Sequence, residues 1–117
     1  MKTITRLFQA NYFEILREKE QFVAFRKDRI KVIFDHATIR VMDEKKIFCI
    51  PFSLSNVMAI IAWSNLPVIF REELRSAAND DYFSGLFNIR PKTKIELIFA
   101  DKLIKVMMNY RDFKVSS

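Results

Sequence analysis

One cysteine and one histidine are the side chains of this sequence that could act together as a nucleophile and its base. Cys49 and His36 each occur once, and a thiolate beside an imidazole is a common nucleophilic pair. Cys49 lies in the apolar run KIFCI, where a thiol is expected to be buried and unreactive. His36 lacks the further Cys or His ligands that a structural zinc site needs. Neither residue is therefore predicted to be catalytic or to bind a metal.

Three pairs of adjacent carboxylates are the remaining candidates for acid–base or cation-binding chemistry. They are Asp43-Glu44, Glu72-Glu73 and Asp80-Asp81. Adjacent residues do not face each other on a helix, and a calcium site needs more oxygen ligands than one such pair supplies. We expect all three pairs on the solvated surface. The sequence thus predicts no catalytic residue, no metal site and no cofactor, and the protein is expected not to be an enzyme.

The scarcity of glycine argues against the common phosphate-binding loops. Gly85 is the only glycine among 117 residues, where roughly eight would be expected at the usual frequency of about 7%. Loops that wrap a phosphate need several glycines, because the backbone must adopt positive φ and approach the ligand closely. A Walker A loop, a dinucleotide-binding loop and the nucleophile elbow of hydrolases are therefore excluded. No small-molecule substrate is inferred.

Basic residues are the strongest functional signal, since the formal net charge is +6. Alternate side chains of a strand share a face, so Lys31 is expected to point away from its apolar neighbours Ile30 and Val32. A basic sheet face can follow a phosphate backbone and release its counterions, although charged residues also suit the wet face of any half-buried sheet. The predicted nucleic-acid-binding residues are Arg26, Lys27, Arg29, Lys31, Arg40 and Lys46, assisted by Arg90, Lys92 and Lys94.

The elements that would carry these residues follow from the hydrophobic periodicity. The runs FVAFR, RIKVIF, TIRVM and KIFCI are separated by short polar turns, which predicts a four-stranded antiparallel meander over about 21–50. Helices are expected near 55–65 and 67–79, with Ser53 or Ser55 as the N-cap of the first. The segment NDDYFSG resembles a loop, and KIELIFA after Pro91 is predicted to be a fifth strand.

Both ends of the chain leave two interpretations open. Residues 1–17 fit either a helix or two short strands, and residues 101–113 fit a helix, which we favour, or a strand. The expected fold is a single α+β domain, 1–117. It has a four-stranded antiparallel β-meander followed by two helices, a fifth strand and a C-terminal helix (or strand).

Residues 47–70 form a charge-free stretch of twenty-four positions. A membrane helix needs about twenty predominantly apolar residues, but prolines and Ser/Asn pairs divide this stretch, so a strand end and two helix starts are predicted instead. Its last residues exceed what one helix can bury on one side, which suggests an interaction surface. The predicted partner-binding residues are Leu66, Val68, Ile69 and Phe70.

Three functions fit these observations, the third of which is peripheral association with a membrane through the basic face. The first is a small non-enzymatic nucleic-acid-binding or regulatory protein that uses the basic sheet face. The second is a protein–protein interaction module, which could be homodimeric, or an inhibitor of a host machine of the phage or mobile-element type. A single cysteine and an N-terminus without a secretion signal favour a reducing, cytoplasmic location for all three.

Overall fold

The chain folds as a five-stranded antiparallel sheet with helices packed on one of its faces. The computed structural model describes residues 1–44, 46–74 and 82–116. Its strands are β1 (Glu14–Lys19), β2 (Phe22–Lys27), β3 (Ile30–Asp35), β4 (Thr38–Asp43) and β5 (Lys46–Pro51). Its helices are α1 (Lys2–Ala10), α2 (Leu54–Ser64), α3 (Val68–Leu74), α4 (Tyr82–Phe87) and α5 (Lys94–Ser116). Each strand pairs with the next one along the chain, so the predicted α+β class and antiparallel meander are confirmed.

Side chains alternate between a buried and an exposed face of the sheet. Phe25, Val32, Val41 and Phe48 lie opposite one another on β2 to β5, and all four are buried. We call the face that they share the inner face. Lys31 lies one position before Val32 and is exposed on the opposite, outer face. The alternation arises because side chains of a strand have a period of two.

Aromatic contacts fix the helices to the inner face. Phe8 of α1 stacks on Phe25, with ring centroids 4.4 Å apart and an angle of 8° between the rings. Phe83 of α4 meets Phe48 and Trp63 edge-on, at 5.3 and 5.4 Å between centroids. Such pairs add roughly 0.5–1.5 kcal/mol beyond the burial of their area. They explain why so many of the chain's phenylalanines lie between sheet and helices.

Helix α2 is buried on every side. All of its residues from Asn56 to Ser64 are buried, and helices α4 and α5 both pack against it. Ser53 is its N-cap, because the Ser53 hydroxyl accepts a hydrogen bond from the Asn56 amide at 3.1 Å. The charge-free stretch therefore contains the end of β5, all of α2 and the start of α3. None of the helices in the described ranges is long and apolar enough to cross a membrane.

The hairpin turns use non-glycine residues at positive φ. Asp28, His36 and Glu44 have φ of 54°, 57° and 51° in the three turns that connect β2 to β5. This region is favourable mainly for glycine, but Gly85 lies in α4 instead. The single histidine thus has a place in the fold as a turn residue.

Three elements differ from the sequence-based prediction. KIELIFA is not a strand but the beginning of α5, which confirms the favoured helix at 101–113 and extends it. The fifth strand is β1, which follows α1, so the first 17 residues contain both a helix and a strand. Tyr82–Gly85 of the predicted loop belong to α4, whereas residues 79–81 lie outside the described residues. The second predicted helix is α3, and the described part of it ends at Leu74.

Helix α5 begins where it does because of a capping box. The Thr93 hydroxyl accepts a hydrogen bond from the Glu96 amide at 3.2 Å, and the Glu96 carboxylate accepts one from the Thr93 amide at 2.9 Å. Hydrogen bonds to the Glu96 carboxylate, first from the Lys92 amide and then from the amide and side chain of Thr93, lower the pKa of Glu96. The box satisfies backbone N–H groups that the first turn leaves without partners. The apolar residues after it are therefore helical although their types also suit a strand.

We expect the Phe8→Ala variant to lose about 3–5 kcal/mol of unfolding free energy, because it opens a cavity between α1 and the sheet. The matched control is Ile69→Ala, which truncates an exposed side chain of α3 and should change stability by about 0.5 kcal/mol or less. Urea unfolding followed by circular dichroism measures both. Equal losses in the two variants would show that α1 does not pack on the inner face as described.

Candidate functional site

Three of the predicted nucleic-acid-binding residues lie together on the outer face. Arg26, Lys31 and Arg40 are exposed there. Two of them are engaged in ion pairs: Arg26 Nη2 lies 2.7 Å from a Glu14 carboxylate oxygen, and Arg40 Nη2 lies 3.6 Å from one of Asp35. Exposed ion pairs contribute little stability. Each carboxylate nevertheless offsets a positive charge that would otherwise attract an anionic ligand. The outer face is therefore less basic than its lysines and arginines suggest.

The outer face also contains features that the sequence does not indicate. Arg17 and Lys19 of β1 share it, as their pairing with Ala24 and Phe22 shows. Arg17 is not predicted because residues 1–17 fit a helix as well as strands, and Lys19 falls between that segment and the predicted meander. Cys49 is exposed, which corrects the expectation of a buried thiol. Among the described residues, no cluster of three His, Cys, Asp or Glu side chains could hold a metal ion.

The other predicted basic residues are dispersed. Arg29 is in the β2–β3 turn and is paired with Glu44, while Lys46 begins β5 opposite Asp43. Lys27 follows Arg26 directly and therefore points to the inner side of the sheet, not to the outer face. The remaining three are exposed in the connection between α4 and α5 and at the start of α5: Arg90, Lys92 and Lys94. The nine residues do not form one surface.

The predicted partner-binding residues are also divided. Leu66 is only 2% exposed and belongs to the core, so it is not available to a partner. Phe70 is partly buried and packs against the same core. Val68 and Ile69 are 50% and 62% exposed. Only these two residues fit the expected interaction surface.

A groove lined by lysines lies at the C-terminal end of α2. It has a volume of about 790 Å³ and is bounded by the end of α1, the residues after α2 and one side of α5. Its lysines are Lys27, Lys102 and Lys105, and its other polar residues are Asn11, Tyr12, Ser64, Asn65 and Asn109. We call this feature the lysine groove. No carboxylate is found among those of its lining residues that the structure describes.

A polar network holds Lys27 on one side of the groove. Its ammonium group donates hydrogen bonds to the side-chain oxygen of Asn65 and to the Ser64 hydroxyl, the latter at 3.4 Å. Asn65 in turn donates to Asn11 at 2.9 Å, and Asn11 donates to the Leu7 carbonyl at 2.8 Å. The side-chain oxygen of Asn65 thus accepts from Lys27, and the side-chain oxygen of Asn11 accepts from Asn65. An ammonium group has three donors, so one is left over after the contacts to Ser64 and Asn65.

Lys27 is in an unfavourable electrostatic environment. Burial, together with repulsion from Arg71 and Lys102, lowers the pKa of Lys27 from its ordinary 10.5 to about 8. Arg71 is buried, and its guanidinium donates to the Leu66 carbonyl at 2.7 Å. Positive charges therefore converge here without a carboxylate in the described lining. A bound anion would relieve this repulsion.

Tyr12 stands at the rim of the groove in a strained conformation. Its φ is 71°, a value that is rare for a bulky residue. The side chain is 84% exposed, and Lys27 Nζ lies 5.8 Å from its ring centroid. Backbone strain of this kind is frequent at binding sites. The ring offers an aromatic face next to the lysines.

Only one of the three lysines of the groove is among the binding residues predicted from the sequence. Lys27 is predicted from the sequence, but as a turn residue that adds to the basic sheet face. Lys102 and Lys105 escape prediction because the packing of α5 brings them to the groove, and their spacing of three is meaningful only on a helix. A local signal is nonetheless present in Thr93 and Glu96, whose capping-box spacing marks the start of that helix.

We expect Lys27 to titrate with a midpoint near pH 8, which carbon NMR of its Cε can follow. The Lys102→Met variant should shift the midpoint upward, since it removes a neighbouring positive charge, while Lys92→Met outside the groove should not.

The lowered pKa of Lys27 also makes the unfolding free energy depend on pH. Lys27 binds its proton less tightly in the folded state, so wild type should gain unfolding free energy relative to Lys27→Met as the pH rises from about 8 to 10.5. Urea unfolding of both proteins across this range measures the difference. A difference that does not change with pH would contradict the described environment of Lys27.

No family model, no curated protein and no solved structure matches this chain. What the lysine groove binds must therefore be inferred from the chemistry of its own residues.

Proposed function

We propose that this protein is a non-enzymatic nucleic-acid-binding protein and that the lysine groove receives the phosphates of a single strand. The observation that carries this proposal is the convergence of Lys27 and Lys102 on one groove whose described lining contains no carboxylate. Lys105 adds a third positive charge to the lining, which its ion pair with Asp101 of the same helix, at 3.1 Å, offsets in part. Lysines that neutralise phosphates release condensed counterions, which drives binding to nucleic acid.

The electrostatics of the groove favour a bound anion over an empty state. Lys27 and Lys102 repel each other without an acidic neighbour in the described lining, and an anion placed between them turns that repulsion into attraction. The donor of Lys27 that its network does not use can bond directly to a phosphate oxygen. The side-chain amide of Asn109 is a further group of the lining that can hydrogen-bond to a ligand.

The exposed ring of Tyr12 favours single strands over duplex. A base in a duplex is covered by its stacked neighbours, whereas an unpaired base can stack on an aromatic side chain. Such stacking contributes roughly 1–3 kcal/mol per base. The groove therefore combines the two elements of a single-strand site, cations for the backbone and an aromatic face for a base.

The outer face supports this function less directly. Its cations Arg26 and Arg40 are each near a carboxylate, and exposed apolar side chains such as Ile47 share the face with its basic residues. We assign it a secondary role, in which it raises the overall positive potential of the protein. That potential speeds the encounter with a polyanion.

Three double variants that each remove two positive charges test where nucleic acid binds. Lys102→Ala with Lys105→Ala removes two of the three lysines of the groove, Lys31→Ala with Arg40→Ala changes the outer face, and Lys92→Ala with Lys94→Ala changes the α4–α5 connection. Affinity for a fluorescent single-stranded oligonucleotide is measured by anisotropy at several salt concentrations. The groove variant should bind about 10-fold more weakly at low salt. Its plot of log K against log salt should be less steep by about 1.4, that is about 0.7 for each lost phosphate contact.

The other two double variants should keep most of the affinity and the wild-type salt dependence. The proposal fails if the outer-face variant shows the largest loss. It also fails if wild type binds no oligonucleotide at low salt, which would leave docking on another protein through Val68 and Ile69 as the remaining function.

Tyr12→Gly isolates the aromatic contribution. Glycine accepts the positive φ of this position, so the variant should be at least as stable as wild type. Its affinity for the oligonucleotide should fall by about 5-fold or more, because a stacked base is lost. Inorganic pyrophosphate, which has no base, should bind both proteins equally. Unchanged oligonucleotide affinity would exclude Tyr12 from the site.

A further inference from the structure

Helix α5 carries a second set of residues, on the side opposite the core. Its buried residues Phe99, Leu103 and Val106 face α1 and α2. Six residues at alternating spacings of four and three form a straight row on the other side of the helix, because seven residues complete almost two turns. We call this row the α5 seam. It consists of Leu97, Asp101, Ile104, Met108, Arg111 and Val115.

The apolar members of the α5 seam are strongly exposed. Leu97, Ile104, Met108 and Val115 range from 49% to 82% in exposure. Asp101 and Arg111 are exposed as well, and the structure shows them in surface contacts with residues of the same helix. Apolar residues that recur every three or four positions on the outer side of a helix are typical of a helix–helix contact.

We propose that the α5 seam binds the α5 seam of a second copy of this chain, with the two helices antiparallel. In the register that we infer, Leu97 lies opposite Val115 of the other copy, and Ile104 lies opposite its Met108. Asp101 lies opposite Arg111 of the other copy, so each dimer contains two such ion pairs. This inference goes beyond the proposed function and does not depend on it.

The order of residue types along the seam argues for this partner and this orientation. The seam is apolar, acidic, apolar, apolar, basic and apolar in chain order. When a second copy of the seam runs in the opposite direction, each apolar position of one copy faces an apolar position of the other, and Asp101 faces Arg111. A parallel pair in register would instead place Asp101 opposite Asp101 and Arg111 opposite Arg111, which is repulsive. An arbitrary partner would have no reason to match this symmetry.

The flanks of the seam are compatible with the pairing. Met107 of one copy would approach Met107 of the other on one side, adding an apolar contact. Lys105 would approach its own counterpart on the other side, but each Lys105 is held at 3.1 Å by Asp101 of the same helix. The lysine groove lies roughly a quarter of a turn away around α5, so both grooves of the dimer stay open.

The contact is expected to be weak. From Leu97 to Val115 the helix is about 27 Å long at 1.5 Å per residue, and a single pair of helices of this length buries less surface than a standard interface. A Kd on the order of 10–100 µM is therefore expected for the dimer. The two protomers would be in rapid exchange with free chains.

Charge reversal tests both the partner and the register. Sedimentation velocity of residues 1–117 between about 5 and 500 µM should show dimerisation of wild type. Asp101→Arg alone and Arg111→Asp alone should each be monomeric over this range, because both ion pairs become repulsive. An equimolar mixture of these two variants should dimerise again. In the mixed pair the two substituted side chains face each other with opposite charges, and the unchanged Arg111 of one variant meets the unchanged Asp101 of the other.

The double variant with both reversals should also dimerise. A wild-type protein that stays monomeric up to about 500 µM would overturn the proposal. A dimer that survives the single reversals, or a mixture that does not reassociate, would overturn it too, because it would mean a different surface or register. Both substituted positions are exposed, and circular dichroism confirms that each variant keeps its helix content.

Discussion

The need to bury α2 on all sides is the constraint on which this structure depends. The helix contains no charged residue from Leu54 to Ser64, and complete burial of each of its larger apolar side chains contributes roughly 1.5–3 kcal/mol. One layer of structure cannot enclose a helix. The sheet covers one side with its inner face, and α4 and α5 cover the other. The element order, with a sheet before α2 and helices after it, meets this requirement.

The lysine groove is a consequence of how α2 ends. A helix with an apolar surface must still provide polar partners for its last carbonyl groups, and Ser64 and Asn65 are the first polar residues after Trp63. Lys27 reaches them from the end of β2. A cation is favourable at the negative end of a helix dipole, yet burial and neighbouring positive charges oppose it. The same interaction that completes α2 therefore concentrates positive charge at one place on the surface.

Much of the sheet could be predicted from the sequence because strand signals are local. Period-two alternation and short polar turns determine β2 to β5, and the Ser53 cap marks the start of α2. The inward direction of Lys27 is not among the predictions, because the sequence places Lys27 in a turn. It follows only from the extension of β2 to Lys27, since adjacent residues of a strand cannot share a face. The strand predicted for KIELIFA is wrong because its apolar and β-branched residues fit both structures. Only the Thr93–Glu96 capping box distinguishes them.

The groove itself could not be predicted, because Lys27 and Lys102 are brought together by the packing of α5 on α2, a tertiary arrangement that no local pattern encodes. The α5 seam, by contrast, is readable once the helix is known to begin at Lys94.

The meander has a consequence for the order of folding. Every strand pairs with its chain neighbour across a short turn, so the sheet can form by short-range contacts that lose little chain entropy. The packing of α1 on α5 joins the two ends of the chain and closes a loop of most of its length. The slow step should therefore be the docking of α5, which encloses α2 only after the sheet has formed.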